Sequence, residues 1–198
     1  MTLPVLPNPL VESLERRLET AATLVRSGFT GATQVQDWGG EWWAYRFEMA
    51  LTRGGDGRAL SAFFAALGGV RGRFLFTDPT AASEPGAGSP VVLTPDQGGH
   101  ALVTGNWAAD QRVMRAGDLL SLGTGGTTRL YQVTEDAWSE VTGVATLRIV
   151  PRLRASPPVN APVEISAPQV LLRLTAPVPT RIGRSESYRF TVTAREAL

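Results

Sequence analysis

The sequence predicts a mainly β protein: a discontinuous β-sandwich body with one short α-helix, into which a small antiparallel β-barrel or sandwich is inserted. Three observations carry that prediction. Two segments at opposite ends of the chain, Glu41 to Leu51 and Ser187 to Arg195, alternate apolar and polar residues at period two. A stretch from about Arg58 to Leu67 repeats apolar residues at helical spacing, and between Pro90 and Ile165 short strand-like runs alternate with Gly-rich turns.

Taken in order, the stretch Leu10 to Val25 fits a helix through Leu10, Leu14, Leu18 and Ala22 and fits an extended chain through Thr20, Thr23 and Val25; both stay open. Trp43, Tyr45, Phe47, Met49 and Leu51 form one row of a half-buried strand, opposite the mixed row Trp42, Ala44, Arg46, Glu48 and Ala50. Gly54-Gly55-Asp56-Gly57 is a loop from which Asp56 is placed to cap a helix. Leu60, Phe63, Phe64 and Leu67 make that helix's apolar face, and Gly68-Gly69 supplies a left-handed stop. Arg73 to Thr77 returns to strand with Phe74 and Phe76 on one face.

Asp78 to Pro90 is rich in Pro, Ala, Gly and Ser and offers little to bury, which marks a boundary or linker. Beyond it, strands are expected at Pro90–Thr94, Ala101–Thr104, Arg112–Arg115, Asp118–Leu122, Arg129–Thr134, Ala145–Val150 and Ala161–Ile165, the clearest hairpin joining Leu119–Leu122 to Leu130–Val133. The final strand points Tyr188, Phe190, Val192 and Ala194 inward and matches the Trp43 strand in pattern, so the two are expected to share one sheet. The body is then residues 1–88 and 167–198, with 89–166 inserted.

Composition narrows the functions. The chain has 198 residues, 43% hydrophobic and 19% charged, which suits a folded protein. Its net charge is +1 and every basic residue is Arg; these are scattered among acids and form no basic stripe in sequence, so no nucleic-acid partner is expected. With no cysteine there is no disulfide framework, thiolate nucleophile or Cys-ligated metal. No apolar run approaches the roughly 20 residues that span a bilayer, and Met1 to Leu10 lacks the features of a signal peptide, so no membrane insertion and cytoplasmic synthesis are expected.

Catalytic constellations are sparse. The single histidine, His100, follows Gln97-Gly98-Gly99 and reads as a loop residue; a base for Ser or Cys chemistry would have to be this one side chain. Glu135, Asp136 and Glu140 around Trp138 are the closest approach to a paired-carboxylate site, and solvated turn acids explain them better. Gly123-Thr124-Gly125-Gly126 lacks the Lys and the helix of a phosphate loop. The expectation is no enzyme, no cofactor and no metal site.

Tryptophan is more informative. Trp38, Trp42 and Trp43 crowd around Gly39-Gly40, while Trp107 and Trp138 fall in the central region near Asn106 and Glu140. Rigid rings beside polar groups stack on sugars or fill partner pockets, which makes Trp107 and Trp138 the candidate glycan or partner contacts. Core packing is the competing explanation, favoured for Trp43 and evenly balanced for Trp42 and Trp138.

Several ordered pieces resemble one family. They are Ser27-Gly28-Phe29-Thr30-Gly31 with Gln34, Gly40-Glu41-Trp42-Trp43, Ala62-Phe63-Phe64-Ala65-Ala66-Leu67-Gly68-Gly69 and Gly72-Arg73-Phe74. Further on come Ala116-Gly117-Asp118-Leu119-Leu120, Leu130-Tyr131-Gln132-Val133, Ala145-Thr146-Leu147-Arg148-Ile149 and Pro151-Arg152-Leu153-Arg154. In this order they resemble the distal tail proteins of long-tailed (siphovirus-like) phages and gene transfer agents, from about Ser27 to Leu198. The resemblance implies a homo-oligomeric ring, hexameric in that family, at the virion's tail tip. It implies a tail tube protein and a tail hub protein as partners, no catalytic residue, and an inserted domain that in relatives can look like a carbohydrate-binding module for host surface glycans. The insertion here is short and Gly-rich for such a module. A ring subunit needs charged rims, for which Arg181, Arg184 and Arg189 near the last strand are the candidates, a solvated strand face explaining them equally well; Trp42 is a further candidate for the ring interface.

Overall fold

A computed structural model of the chain describes residues 3–7, 11–81 and 88–198. Its strands in order are β1 (Val11–Arg26), β2 (Thr33–Met49), β3 (Thr52–Arg53), β4 (Arg73–Thr77), β5 (Gly88–Val92), β6 (Gly99–Trp107), β7 (Arg112–Met114) and β8 (Leu119–Leu122). They continue as β9 (Arg129–Val133), β10 (Ala137–Trp138), β11 (Ala145–Leu153), β12 (Val163–Glu164), β13 (Gln169–Leu174), β14 (Arg181–Gly183), β15 (Ser187–Arg189) and β16 (Thr191–Glu196), and one α-helix, α1 (Gly54–Ala66), follows β3. The chain is mainly β with one α-helix.

Five strands form the body sheet, in the order β1-β2-β16-β13-β4. The two segments of matching pattern lie side by side, Phe47 opposite Val192 and Tyr45 opposite Ala194. Their inward rows join Phe74, Phe76, Val170 and Leu172 in one core, where Phe47 and Phe76 stack at 5.1 Å. The second layer over this core is composite. It consists of α1, the small β14-β15-β3 sheet that contributes Tyr188, and Leu119 and Leu130 from β8 and β9.

The chain leaves the body sheet after β4 and returns at β13. Between them β12-β8-β9-β11-β6-β5 form a second sheet that nearly closes on itself: Val92 N–H donates to the Ala161 carbonyl at 2.9 Å, and the Val92 carbonyl accepts from Asn160 N–H at 2.8 Å. Closure leaves few unpaired strand edges. Its interior holds Leu102, Leu120, Tyr131, Leu147 and Ile149, while Leu119 and Leu130 point the other way into the body core. β8 and β9 are therefore buried on both faces, which accounts for their near-continuous apolar runs.

One open alternative is resolved and two expectations are corrected. The stretch left open between helix and strand is β1, a 16-residue strand; Leu10 lies outside the described residues. Asp56 does not cap α1: the helix begins earlier, with Arg53 as N-cap, and Asp56 sits in its first turn, where a carboxylate favours the positive end of the helix dipole. Gly68 does stop the helix in the left-handed conformation, at φ 63°. Within 78–90, residues 82–87 lie outside the described ones, and Asp78 is not spacer but a buried anchor. Its carboxylate accepts from Arg16 at 2.6 Å and from the Tyr45 hydroxyl at 3.0 Å.

Body and barrel are joined by a polar clasp. The buried Glu196 carboxylate accepts from Arg154 at 3.1 Å and from Trp43 N–H at 3.3 Å, and Trp43 Nε1–H donates to the Leu130 carbonyl at 3.0 Å. Arg154 also donates to the Glu41 carbonyl, and Glu41 accepts from Arg152 N–H at 2.7 Å. Removing one partner of such a pair strands the other, so Glu196→Ala is expected to lower unfolding stability by about 3 kcal/mol and Glu196→Gln by less, as read from urea denaturation.

Candidate functional site

The six candidate residues do not form one site. Trp107 ends β6 inside the barrel, 5% exposed, with Nε1–H donating to Thr104 Oγ1 at 2.7 Å, so its ring is part of the core and not a sugar platform. Trp138, on the two-residue β10, is 64% exposed. Arg181 and Arg189 are directly opposite one another in the β14–β15 pair, and Arg184 is in the turn between those strands. Trp42 is half-buried on the outer face of β2 and donates to Glu19 at 2.8 Å. Roughly 30 Å of strand separates it from Arg189 at about 3.4 Å per residue, because β15 pairs with β3 beyond the far end of β2.

Two features not singled out from the sequence stand out. The first is the β1–β2 hairpin. A bulge around Trp38–Gly40, opposite Ala21, divides it, and Gly39 takes φ 74° there. Outward of the bulge, from Ala22 to Trp38, every residue except Ser27 is exposed. The arm nevertheless carries Leu24 opposite Val35, plus Val25 and Trp38, and ends in Phe29, fully exposed at the tip. Ser27 organises the tip: its hydroxyl accepts from Phe29 N–H at 3.3 Å and Thr30 N–H at 3.2 Å. Fully burying such side chains is worth about 1.5–3 kcal/mol each, and the larger part of that is not realised in the isolated chain.

The second is a row of arginines. At one register level across the body sheet's outer face, Arg17 of β1 lies opposite Ala44 of β2, Ala44 opposite Arg195 of β16, Arg195 opposite Arg173 of β13, and Arg173 opposite Arg73 of β4. At about 4.8 Å between strands the row spans roughly 19 Å. Arg17 is flanked by Glu19 at 2.9 Å and Glu15 at 3.7 Å, and Arg173 donates to the Val70 carbonyl at 3.0 Å. Among the described residues no carboxylate pairs with Arg195 or Arg73. Two depressions meet at Arg195, one of about 440 Å³ that includes Arg17, Arg46 and Thr193, the other of about 350 Å³ that includes Trp42 and Arg173.

The acids near Trp138 are engaged in holding turns. Asp136 accepts from Ala116 N–H at 2.9 Å and from Arg112 at 3.3 Å, and these bonds, the backbone one foremost, hold its carboxyl below the usual range. Glu135 lies 3.6 Å from Arg148. His100 is on β6, with Nδ1 donating to the Ile149 carbonyl at 3.0 Å and Nε2 at 3.4 Å from Glu41. Among the described residues no group of three or more His, Cys, Asp or Glu side chains is placed to hold a metal ion, and no helix is long and apolar enough to cross a membrane. Comparison with known proteins finds no matching family model and no matching curated sequence.

Burial raises the Tyr45 hydroxyl well above its usual range, with the neighbouring Asp78 charge adding to it, and burial together with the Glu196 charge pushes Tyr131 up to about 12. A tyrosine that keeps its proton longer when folded contributes fully below its unfolded value near pH 10 and loses that contribution as pH rises towards 12. Stability is therefore expected to fall above about pH 10, by about 2–3 kcal/mol from Tyr131 alone. Tyr131→Phe should flatten this part of the profile in urea midpoints measured across that range.

Proposed function

We propose that the chain is a non-enzymatic structural subunit of a phage-type tail tip, a self-associating ring protein that joins the tail tube to the hub and the receptor-binding apparatus. The observation that carries this reading is the hairpin arm. A two-stranded ribbon standing free in water is marginal on its own, and this one displays Leu24, Val25, Val35, Trp38 and Phe29 instead of burying them. Such an arm gains its stability by lying on another subunit, with Leu24 and Val35 together on one face of the ribbon and Val25 on the other. The ordered resemblance to distal tail proteins supports the same conclusion from the sequence side. The Arg181 and Arg189 pair is solvent-exposed and suits a polar rim.

Glycan attachment through the barrel is a second reading, favoured by Trp138 alone, since Trp107 is enclosed. A ring with one flat aromatic face and Arg112 on the neighbouring strand can stack on a sugar.

On the first reading the purified chain associates as concentration rises, in sedimentation and by electron microscopy. Phe29→Asp with Leu24→Asp should abolish that association while leaving the monomer's thermal midpoint unchanged, because neither side chain is buried in the monomer. A chain that remains monomeric at high concentration, alone and with tail tube protein, overturns it. For the second reading, Trp138→Ala should remove any signal on a glycan array, whereas Trp107→Ala should act only by destabilising the barrel.

A further inference from the structure

We infer that the outer face of the body sheet is a docking surface for a carboxylate-bearing protein segment, recognised by Arg195, Arg173 and Arg73 in line. This holds whether or not the chain forms rings. The first observation is register: three strands distant in sequence bring these arginines to directly opposed positions. Like charges facing one another across strands weaken a sheet, so the row works against the fold that presents it. Of the three, only the Arg173 side chain has a hydrogen-bond partner among the described residues, a backbone carbonyl, which leaves the guanidinium forks of Arg195 and Arg73 without an acid. Arginine presents a planar fork that matches carboxylate geometry, and neutralisation by a partner's acids would relieve the opposition.

Charge pattern selects protein over nucleic acid. At the β1 end of the row the sign reverses, with Glu15 and Glu19 on either side of Arg17 and Glu19 also holding the Trp42 indole. A phosphate backbone is uniformly negative and would meet those carboxylates; a protein segment can place acids over Arg195, Arg173 and Arg73 and a cation or donor over Glu15 and Glu19. The row is also a single line, and the net charge of the whole chain is only +1. That is a poor field for a polyanion. The two depressions that meet at Arg195 give side chains room on either side of the contact.

The experiment follows arginine Nε–Hε resonances of the isotope-labelled full chain as an oligoglutamate peptide is added at low salt, with an oligothymidylate of equal formal charge as the comparison. Selective shifts at Arg195, Arg173 and Arg73, reversed by salt and weakened at least about tenfold in Arg195→Glu/Arg173→Glu, are expected. Arg148→Gln, on the barrel, should bind as the parent does. Equal shifts at all arginines, no shift at these three, or tighter binding of the oligothymidylate to the row overturns the inference. Arg195→Gln/Arg173→Gln should keep or raise the unfolding midpoint; a clear fall would make the row part of the fold's own stabilisation and overturn the proposal from the other side.

Discussion

The carboxylate of Glu196 is the point on which the architecture turns. It is buried, it is the last residue of the last strand, and it holds together Trp43 N–H from the body sheet and the Arg154 guanidinium from the barrel. A buried charge is tolerated only when it is fully paired, so the clasp dictates that barrel and body approach in one way. With that approach set, Leu119 and Leu130 can serve as the roof of the body core, and Trp43 can reach across to the Leu130 carbonyl. Without it, the five-stranded sheet would lose part of its second layer.

Legibility in the sequence followed burial. β2 and β16 could be recognised and paired because each presents one row to a core, and the row of Trp43, Tyr45 and Phe47 alternates cleanly with the residues between. β1 could not, because its outer part faces water on both sides and nothing there imposes a period of two. Trp107 and Trp138 looked alike in local context; what separates them is the barrel's closure, which encloses one ring and leaves the other on a short outlying strand. The arginine row was invisible for a different reason. Each arginine is an ordinary outward residue on its own strand, and only the register among β16, β13 and β4, which is long-range, puts the three in line.

The molecule divides its apolar inventory unevenly. The barrel hides most of its edges and fills its interior, and the body core is covered by the helix, the small sheet and two strands of the barrel. Against this background the hairpin arm and the arginine row are departures from self-sufficiency, one apolar and slender, the other charged and flat.

The bulge at Trp38–Gly40 has a mechanical consequence. A pull on the arm's tip would travel down β2 into its ladder with β16, where the hydrogen bonds from Thr191 to Arg195 lie across the direction of load and resist it together in shear. From β16 the force passes through Glu196 to Arg154 and so into the barrel. The break in register lies outside that ladder, so tension applied at the tip would load the hydrogen bonds between β2 and β16 together and not peel them one by one.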